Sequence, residues 1–211
     1  MKHFITATIF ILFLFLGSCE PAVTFDKPQP DNLKSLTAFP KKLRGKYVAS
    51  DQASIVTITE KLITRHFDFD YKEHKDSLSS DYKITGDTLF NLTDGTKEKI
   101  LLKGDTIIQY ANWIDTLFNI STVNILKKFK GYYFLNDRYS DSSWDVKKLS
   151  LQKGILMVGS VSEKGDITKL KEITETTADT TSTHFTLTRR QFNKFVKQAG
   201  FRAQENFKRM Q

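Results

Sequence analysis

Cysteine and proline are scarce in this 211-residue chain, and their positions limit the architectures open to it. The single cysteine, Cys19, excludes an internal disulfide bond. All four prolines lie within residues 21–40, and none follows Pro40. Because proline removes a backbone donor from a β-ladder, its absence after residue 40 suits uninterrupted antiparallel strands.

Motifs that mark common catalytic sites are also missing. The chain has no Gly-x-Ser-x-Gly elbow, no phosphate-binding glycine loop and no His-Glu-x-x-His sequence. Only His66, His74 and His184 follow the N-terminal segment, which leaves little room for a Ser-His-Asp triad. The sequence therefore favours a protein that is not an enzyme and predicts no cofactor, although a triad built from distant positions stays open.

An almost unbroken apolar run extends from Phe4 to Leu16, behind the positive charge of Lys2. It is shorter than the roughly 20 residues that a membrane-spanning helix needs, and it has the length of the apolar region of an export signal. The run ends in Leu16-Gly17-Ser18-Cys19, which resembles the lipobox of bacterial lipoproteins. That resemblance implies a signal peptide over residues 1–18, cleavage before Cys19 and lipidation of Cys19. An ordinary export signal with an incidental cysteine is the alternative.

The resemblance also implies a location. Two or more acyl chains hold a protein stably on a membrane, whereas one chain binds only marginally. We therefore expect a protein of the bacterial cell envelope, on the outer membrane, with membrane contact through Cys19. The formal net charge of +8 suits anionic lipid or an acidic polymer as well as a plain solvated surface. Nucleic acid is not an expected partner for a protein anchored outside the cytoplasm.

The prolines predict an extended tether over residues 19–40, between the anchor and the body. Beyond it, Gly86, Gly95 and Gly104 recur at intervals of nine in turn-like contexts. Turns spaced by about 8–12 residues predict an antiparallel meander, so the body is expected to be an all-β barrel or sandwich. Strand-like runs occupy residues 53–60, 62–72, 88–93, 97–103, 106–113, 144–151, 155–162, 167–174 and 182–187.

A weak internal repeat divides the body. Lys41–Tyr47 matches Lys127–Tyr133, and Val56–Ile63 parallels Leu149–Leu156. The matches predict two related β modules. A basic turn followed by Gly-x-Tyr resembles the opening of lipocalin-like barrels, with tyrosine in place of the usual tryptophan. That resemblance implies a barrel whose floor is closed by a glycine and an aromatic residue.

The first module is predicted over residues 41–122 and the second over residues 123–211. The second module contains the one helix that the sequence predicts, over residues 189–199, because Thr188 and Gln191 have the spacing of a capping box. Apolar residues recur at helical spacing along one face of this segment. They are Phe192, Phe195, Val196 and Ala199. Gly200 is expected to end the helix in the left-handed conformation that glycine favours.

Residues 66–74 are the most suggestive stretch for a metal site. On a strand, alternate side chains share one face, and here they are His66, Asp68, Asp70 and His74. Two imidazoles and two carboxylates are suitable ligands for a divalent metal. At strand rise, however, His66 and His74 lie about 25 Å apart. The favoured interpretation is an amphipathic strand, with a solvated polar face and with Phe67, Phe69 and Tyr71 on a face in the core.

Aromatic residues suggest a second kind of site. Trp113, Trp144 and Tyr133 are candidate ligand-binding residues, because aromatic rings line apolar pockets and stack on sugar rings. Trp113 and Trp144 each lie beside polar residues in the sequence. Core packing is the alternative, since strands favour aromatic side chains.

Together these patterns favour a non-catalytic binding module that holds a small apolar ligand, a glycan or an envelope protein. A structural accessory subunit of an envelope complex is the alternative, and a hydrolase or metal enzyme built on His66, Asp68 and Asp70 is the third hypothesis. A binding module should contain a concave cavity. An accessory subunit should have a filled core and an exposed apolar patch, and an enzyme should cluster perturbed carboxylates in a cleft.

Overall fold

A computed structural model describes residues 23–161, 164–175 and 183–210. Strands dominate these ranges and form one open, almost entirely antiparallel sheet with two short helices, α1 (Lys164–Thr174) and α2 (Arg189–Lys197). The mostly-β architecture predicted from the turn spacing is confirmed. Neither helix is long and apolar enough to cross a membrane. The strands are β1 (Thr24–Phe25), β2 (Ser35–Leu36), β3 (Gly45–Ala49), β4 (Ser54–Ile58), β5 (Leu62–His74), β6 (Tyr82–Thr85), β7 (Thr88–Asn91), β8 (Lys97–Lys103), β9 (Thr106–Asn119), β10 (Ile125–Phe129), β11 (Tyr132–Ser140), β12 (Ser143–Gln152), β13 (Ile155–Ser160), β14 (His184–Phe185) and β15 (Ala203–Arg209).

The last strand lies in the middle of the sheet. The spatial order is β2-β10-β11-β12-β13-β15-β3-β4-β5-β9-β8-β7-β6, and β1 joins β12 to β14 beside this path. Within β15, Phe207 pairs with Leu156 of β13 on one side and with Ala49 of β3 on the other. The C-terminal strand therefore joins the meander β3–β5 to the meander β10–β13.

One apolar cluster takes residues from both of these meanders. Alternate residues of β4 are buried, as expected for a strand with one face in a core. Tyr47 from the first predicted module and Tyr133 from the second lie in this same cluster, beside Phe207 of β15. The two meanders thus share one core, on the inner face of a curled sheet.

A second apolar cluster covers the opposite face of β11 and β12. Phe134 and Val146 meet both helices there, and Phe192 packs edge-on against Phe134 with ring centroids 4.9 Å apart. Strand β11 is therefore buried on both faces, which explains its apolar run from Tyr132 to Leu135.

Helix α2 confirms the predicted capping box at Thr188 and Gln191. The helix ends at Lys197, two residues before the predicted end, and Ala199 adopts the left-handed conformation expected of Gly200. Glycine is needed at position 200 for another reason, because a Cβ there would lie 2.5 Å from the Phe195 ring. Position 200 therefore needs glycine for its close packing against Phe195, and the left-handed conformation lies at Ala199.

The predicted strand over residues 167–174 is wrong. This segment lies in helix α1, where Leu170 and Ile173 are buried at helical spacing on the second cluster. The buried carboxylate of Asp166, near the start of the helix, accepts a hydrogen bond from the Arg202 backbone at 2.7 Å. The β-branched residues of the segment favour a strand locally, but the burial of Leu170 and Ile173 in the second cluster outweighs that preference and favours a helix.

The extended tether predicted over residues 19–40 does not describe residues 23–40, which lie against the sheet. Phe25 and Phe39 are buried and place this segment in both clusters. Lys127 donates hydrogen bonds to the carbonyls of Pro28 and Pro30, both at 2.8 Å. Burial lowers the pKa of Lys127, and nearby Asp31 opposes that shift. The prolines shape the segment, but its phenylalanines attach it to the body.

We predict that Phe207→Ala will lower the free energy of unfolding by about 3–5 kcal/mol, because it empties the site where the two meanders meet. The measurement is urea unfolding of residues 20–211, which retain all of the apolar clusters described above. Exposed Lys208 provides the control, and Lys208→Ala should cost less than about 0.5 kcal/mol. Equal losses in the two variants would contradict the central role of β15.

Candidate functional site

The hairpin of β5 and β9 extends well beyond the main core. Strand β5 pairs with β9 along its whole length, from Leu62 opposite Asn119 to His74 opposite Thr106. Strand β4 pairs only with the first part of β5, because Ser54, the first residue of β4, lies opposite Phe67. The outer half of the hairpin carries strands β6–β8, which have a small apolar cluster of their own around Leu89, Ile100 and Ile107. The hairpin thus places a second, smaller sheet region outside the core.

A cleft of about 640 Å³ lies between β6–β8 and one face of the outer hairpin. Its side chains come from five strands and two turns, so the pairing of β5 with β9 and of β7 with β8 is needed to assemble it. The lining residues are Tyr71, Glu73, Ser77, Leu78, Ser79, Tyr82, Leu89, Asn91, Asp94, Thr96, Glu98 and Gln109.

The cleft is acidic and flanked by aromatic rings. Tyr71 and Tyr82 expose about half of their surface, at 50% and 41%. Asp94 accepts hydrogen bonds from the backbone and the hydroxyl of Thr96, which hold the pKa of this carboxyl below its usual range. Three carboxylates line the cleft, whereas no lysine or arginine does so among the described residues. The cleft therefore has a charge opposite to the chain as a whole.

The predicted metal ligands lie on the other face of β5 and do not converge. His66 hydrogen-bonds Asn112 at 3.2 Å, and Asp68 accepts a hydrogen bond from the Tyr110 hydroxyl at 2.6 Å. His74 instead accepts a hydrogen bond from the Asp76 backbone. Nowhere in the described ranges do three His, Cys, Asp or Glu side chains form a group that could hold a metal. The alternation expected for the strand is present, but the metal site is not formed.

The three candidate aromatic residues also lie apart. Tyr133 is buried in the main core, and Trp144 is 9% exposed, with Arg138 5.9 Å from its ring. Trp113 is half-exposed and stacks on Phe67 with ring centroids 4.5 Å apart. Only Trp113 remains available to a ligand, on the hairpin face that also carries Tyr71.

The interior of the curled sheet offers little room for a small apolar ligand. It holds a cavity of about 80 Å³, lined by Val56, Ile63, Leu149 and other core residues. Ligand pockets usually measure about 300–1,000 Å³. The pair Arg65–Glu205, at 2.7 Å, lies at the rim of this cavity. This cavity is therefore smaller than a usual ligand pocket.

A half-buried charge cluster adjoins the same rim. Lys147 lies 3.0 Å from Asp145 and 3.8 Å from Asp137. Burial raises the pKa of Asp137 to about 6, although the nearby Lys147 opposes the shift. Burial lowers the pKa of Lys147, but Asp145 and its neighbouring carboxylates outweigh that effect and raise it. The surroundings of Asp137 in the folded protein therefore disfavour the charged form of its carboxyl.

Sequence reasoning missed the residues of the cleft. The alternation of β5 placed Tyr71 on the aromatic face, which was interpreted as core, because sequence patterns do not show where a core ends. Gly86 and Gly95 correctly predicted the turns that connect β6, β7 and β8. Their spacing did not show that these strands fold back over Tyr71 and Glu73.

Comparison of the chain with protein-family models, with curated proteins and with solved structures found no match.

We predict that Asp137 contributes a loss of stability as the pH rises from about 4 to about 6. The folded state holds the Asp137 proton up to a pKa of about 6, whereas the unfolded chain releases it near 3.8, so the folded state binds more protons in this window. The loss should reach about 2–3 kcal/mol. Asp137→Asn should remove most of it in urea unfolding measured across this range. Asp141→Asn, at a fully exposed aspartate of the same hairpin, should not, and equal pH profiles for both variants would contradict the assignment.

Proposed function

We propose that the chain is a lipid-anchored lipoprotein of the bacterial cell envelope, and that its body is a non-catalytic module that binds a neutral or cationic glycan. The observation that carries the glycan proposal is the acidic, tyrosine-flanked cleft under β6–β8. Its volume is within the range of ligand pockets, and it opens to solvent, so a segment of a longer chain can enter.

The side chains of the cleft match the chemistry of a sugar ring. Tyr71 and Tyr82 provide flat apolar faces for the C–H groups of a pyranose, with hydroxyls at their tips. Glu73 and Glu98 accept hydrogen bonds, and the Gln109 amide both donates and accepts. Together these side chains can form hydrogen bonds with neighbouring hydroxyls of a sugar ring, each of which both donates and accepts.

The charge of the cleft restricts the ligand further. Carboxylates in a cleft that no lysine or arginine of the described residues lines repel phosphate, sulfate and uronate groups at short range. Nucleotides and acidic polysaccharides are therefore disfavoured, in spite of the positive net charge of the chain. A neutral hexose chain or an amino sugar suits the site better.

The anchor proposal rests on the lipobox-like sequence, because Cys19 lies outside the described residues. Val23 is buried on the body. A lipid on Cys19 would therefore hold the body close to the bilayer surface, rather than at the end of the long tether that the prolines suggested.

We also infer that β3–β5 and β11–β13 are the two copies of the internal repeat, in a barrel that stays open between β9 and β2. Each copy starts with Gly-x-Tyr and continues as a three-stranded meander. The basic residues before the two glycines differ, because Lys41–Leu43 form a 3-10 turn while Lys127 lies in β10.

An accessory subunit is the second candidate. Tyr110 and Ile114 expose 64% and 66% of their surface on the outer face of the hairpin, and the main core is nearly filled. A filled core with exposed apolar side chains is the pattern expected of a protein that docks on another.

We predict that the body binds neutral or amino-sugar oligosaccharides and that Tyr71→Ala and Tyr82→Ala each weaken binding about tenfold, because each removes a stacking face. The measurement is titration calorimetry of residues 20–211 with maltohexaose, cellohexaose and chitosan hexamer. Tyr139→Ala is the matched control at an exposed tyrosine far from the cleft in sequence. Absence of binding to all three sugars, or binding that both cleft variants retain, would reject the proposal.

We further predict that Cys19→Ser releases the full-length protein from the membrane fraction of a Gram-negative host and abolishes incorporation of labelled palmitate, because the acceptor sulfur is lost. Ser18→Ala keeps a small residue before Cys19 and should retain the label. Unchanged labelling of the Cys19→Ser variant would rule out the anchor and leave the glycan site untested, so the two proposals fail separately.

A further inference from the structure

Half of strand β5 has an open edge. Strand β4 pairs with β5 only as far as Phe67, so residues Asp68–His74 pair with β9 alone. No other strand in the described ranges lies along this side of Asp68–His74. An unpaired strand of this length presents a row of free backbone donors and acceptors.

The hydrogen bonds of the hairpin show which residues face this edge. Lys61 accepts a hydrogen bond from Ile120, and Lys75 donates one to Asp105, so odd-numbered residues of β5 direct their backbone groups toward β9. Leu62 accepts from Thr59, on the side of β4. The even-numbered residues Asp68, Asp70, Lys72 and His74 therefore direct their N–H and C=O groups to the open edge.

The sequence along this edge is self-complementary. In an antiparallel pair centred on Tyr71, Asp70 of one copy lies opposite Lys72 of the other, and Asp68 lies opposite His74. Each of these pairs occurs twice, because the arrangement has a twofold axis. Both members of every such pair have their backbone groups on the open edge, so the hydrogen-bond pattern and the charge pattern agree.

The neighbouring registers each contain a pair of like charges. A pair centred on Asp70 would place two aspartates opposite each other, and one centred on Lys72 would place two lysines together, which is unfavourable in a sheet. Edges that only avoid aggregation usually carry charges that repel a second copy. Here Asp70 and Lys72 make no hydrogen bond or ion pair with any other described residue, so both charges stay available.

We propose that two copies of the chain associate edge to edge through Asp68–His74 of β5, antiparallel and centred on Tyr71. The two hairpins then form one continuous sheet across the twofold axis. Tyr71 also lines the cleft, so the two clefts lie side by side in the dimer. The proposal does not depend on what the cleft binds.

A charge swap tests the pairing. Sedimentation velocity of residues 20–211, across concentrations up to the high micromolar range, should show a monomer–dimer equilibrium for the unchanged sequence. Asp70→Lys and Lys72→Asp should each raise the dissociation constant about tenfold or more, because each puts like charges opposite one another twice. The double variant Asp70→Lys/Lys72→Asp restores opposite charges and should recover the dimer. A monomer at every concentration, or a double variant no better than the singles, would overturn the proposal.

Crosslinking tests the register without changing the charges. In the proposed pair the two Tyr71 Cα atoms lie about 4.5 Å apart, within the span of a disulfide. Residues 20–211 contain no cysteine, so Tyr71→Cys introduces the only thiol. Mild oxidation should give a covalent dimer of this variant, whereas Tyr139→Cys, at a more exposed tyrosine, should stay largely monomeric. Equal crosslinking of the two variants would overturn the register.

Discussion

The insertion of the last strand between β13 and β3 is the constraint on which the rest of the structure depends. Without β15, the edges of β13 and β3 would be unpaired and the two meanders would not form one sheet, and small isolated sheets of this kind are marginally stable in water. Phe207 fills the space between them, and Arg209 donates a hydrogen bond to the Tyr47 hydroxyl at 2.6 Å. β13 and β15 are adjacent antiparallel strands, and the connection between them contains α1 and α2. Those helices cover the outer face of β11 and β12.

The main core ends near Phe67, so the outer half of the β5–β9 hairpin does not contribute side chains to it. Phe67 and Trp113 stack at the boundary, and Arg65 lies over the Phe67 ring at 4.7 Å, between the core rim and the hairpin face. Beyond this boundary the residues are mostly polar, and the paired strands β5 and β9 form the rigid support on which β6–β8 fold back. A cleft built on paired strands holds its side chains more firmly than one built on loops. The open edge of β5 follows from the same geometry, because β4 ends where the core ends.

Residue patterns predicted the local features well and the environment of each residue poorly. The turns at Gly86, Gly95 and Gly104 and the capping box at Thr188 are present because each depends on a few neighbouring residues. Tyr133 and Trp144 were candidates for binding but are buried, while Tyr71, interpreted as core, lines the cleft. Alternation separates the two faces of a strand, yet it cannot show which parts of a face other elements cover. The same limitation led to the wrong strand over residues 167–174 and to the tether that lies on the sheet.

The sequence by itself determined a mostly-β chain, the positions of its tight turns, the start of its C-terminal helix and the two faces of β5. These features depend on interactions between residues close together in the chain, such as backbone freedom at glycine, side-chain capping and the alternation of a strand. Only the tertiary structure decided that β15 lies between the meanders, that residues 23–40 join the core and that Tyr71, Tyr82 and Gln109 share one cleft. Those outcomes depend on pairing and burial between distant segments, whose free energies become favourable only when the whole sheet forms.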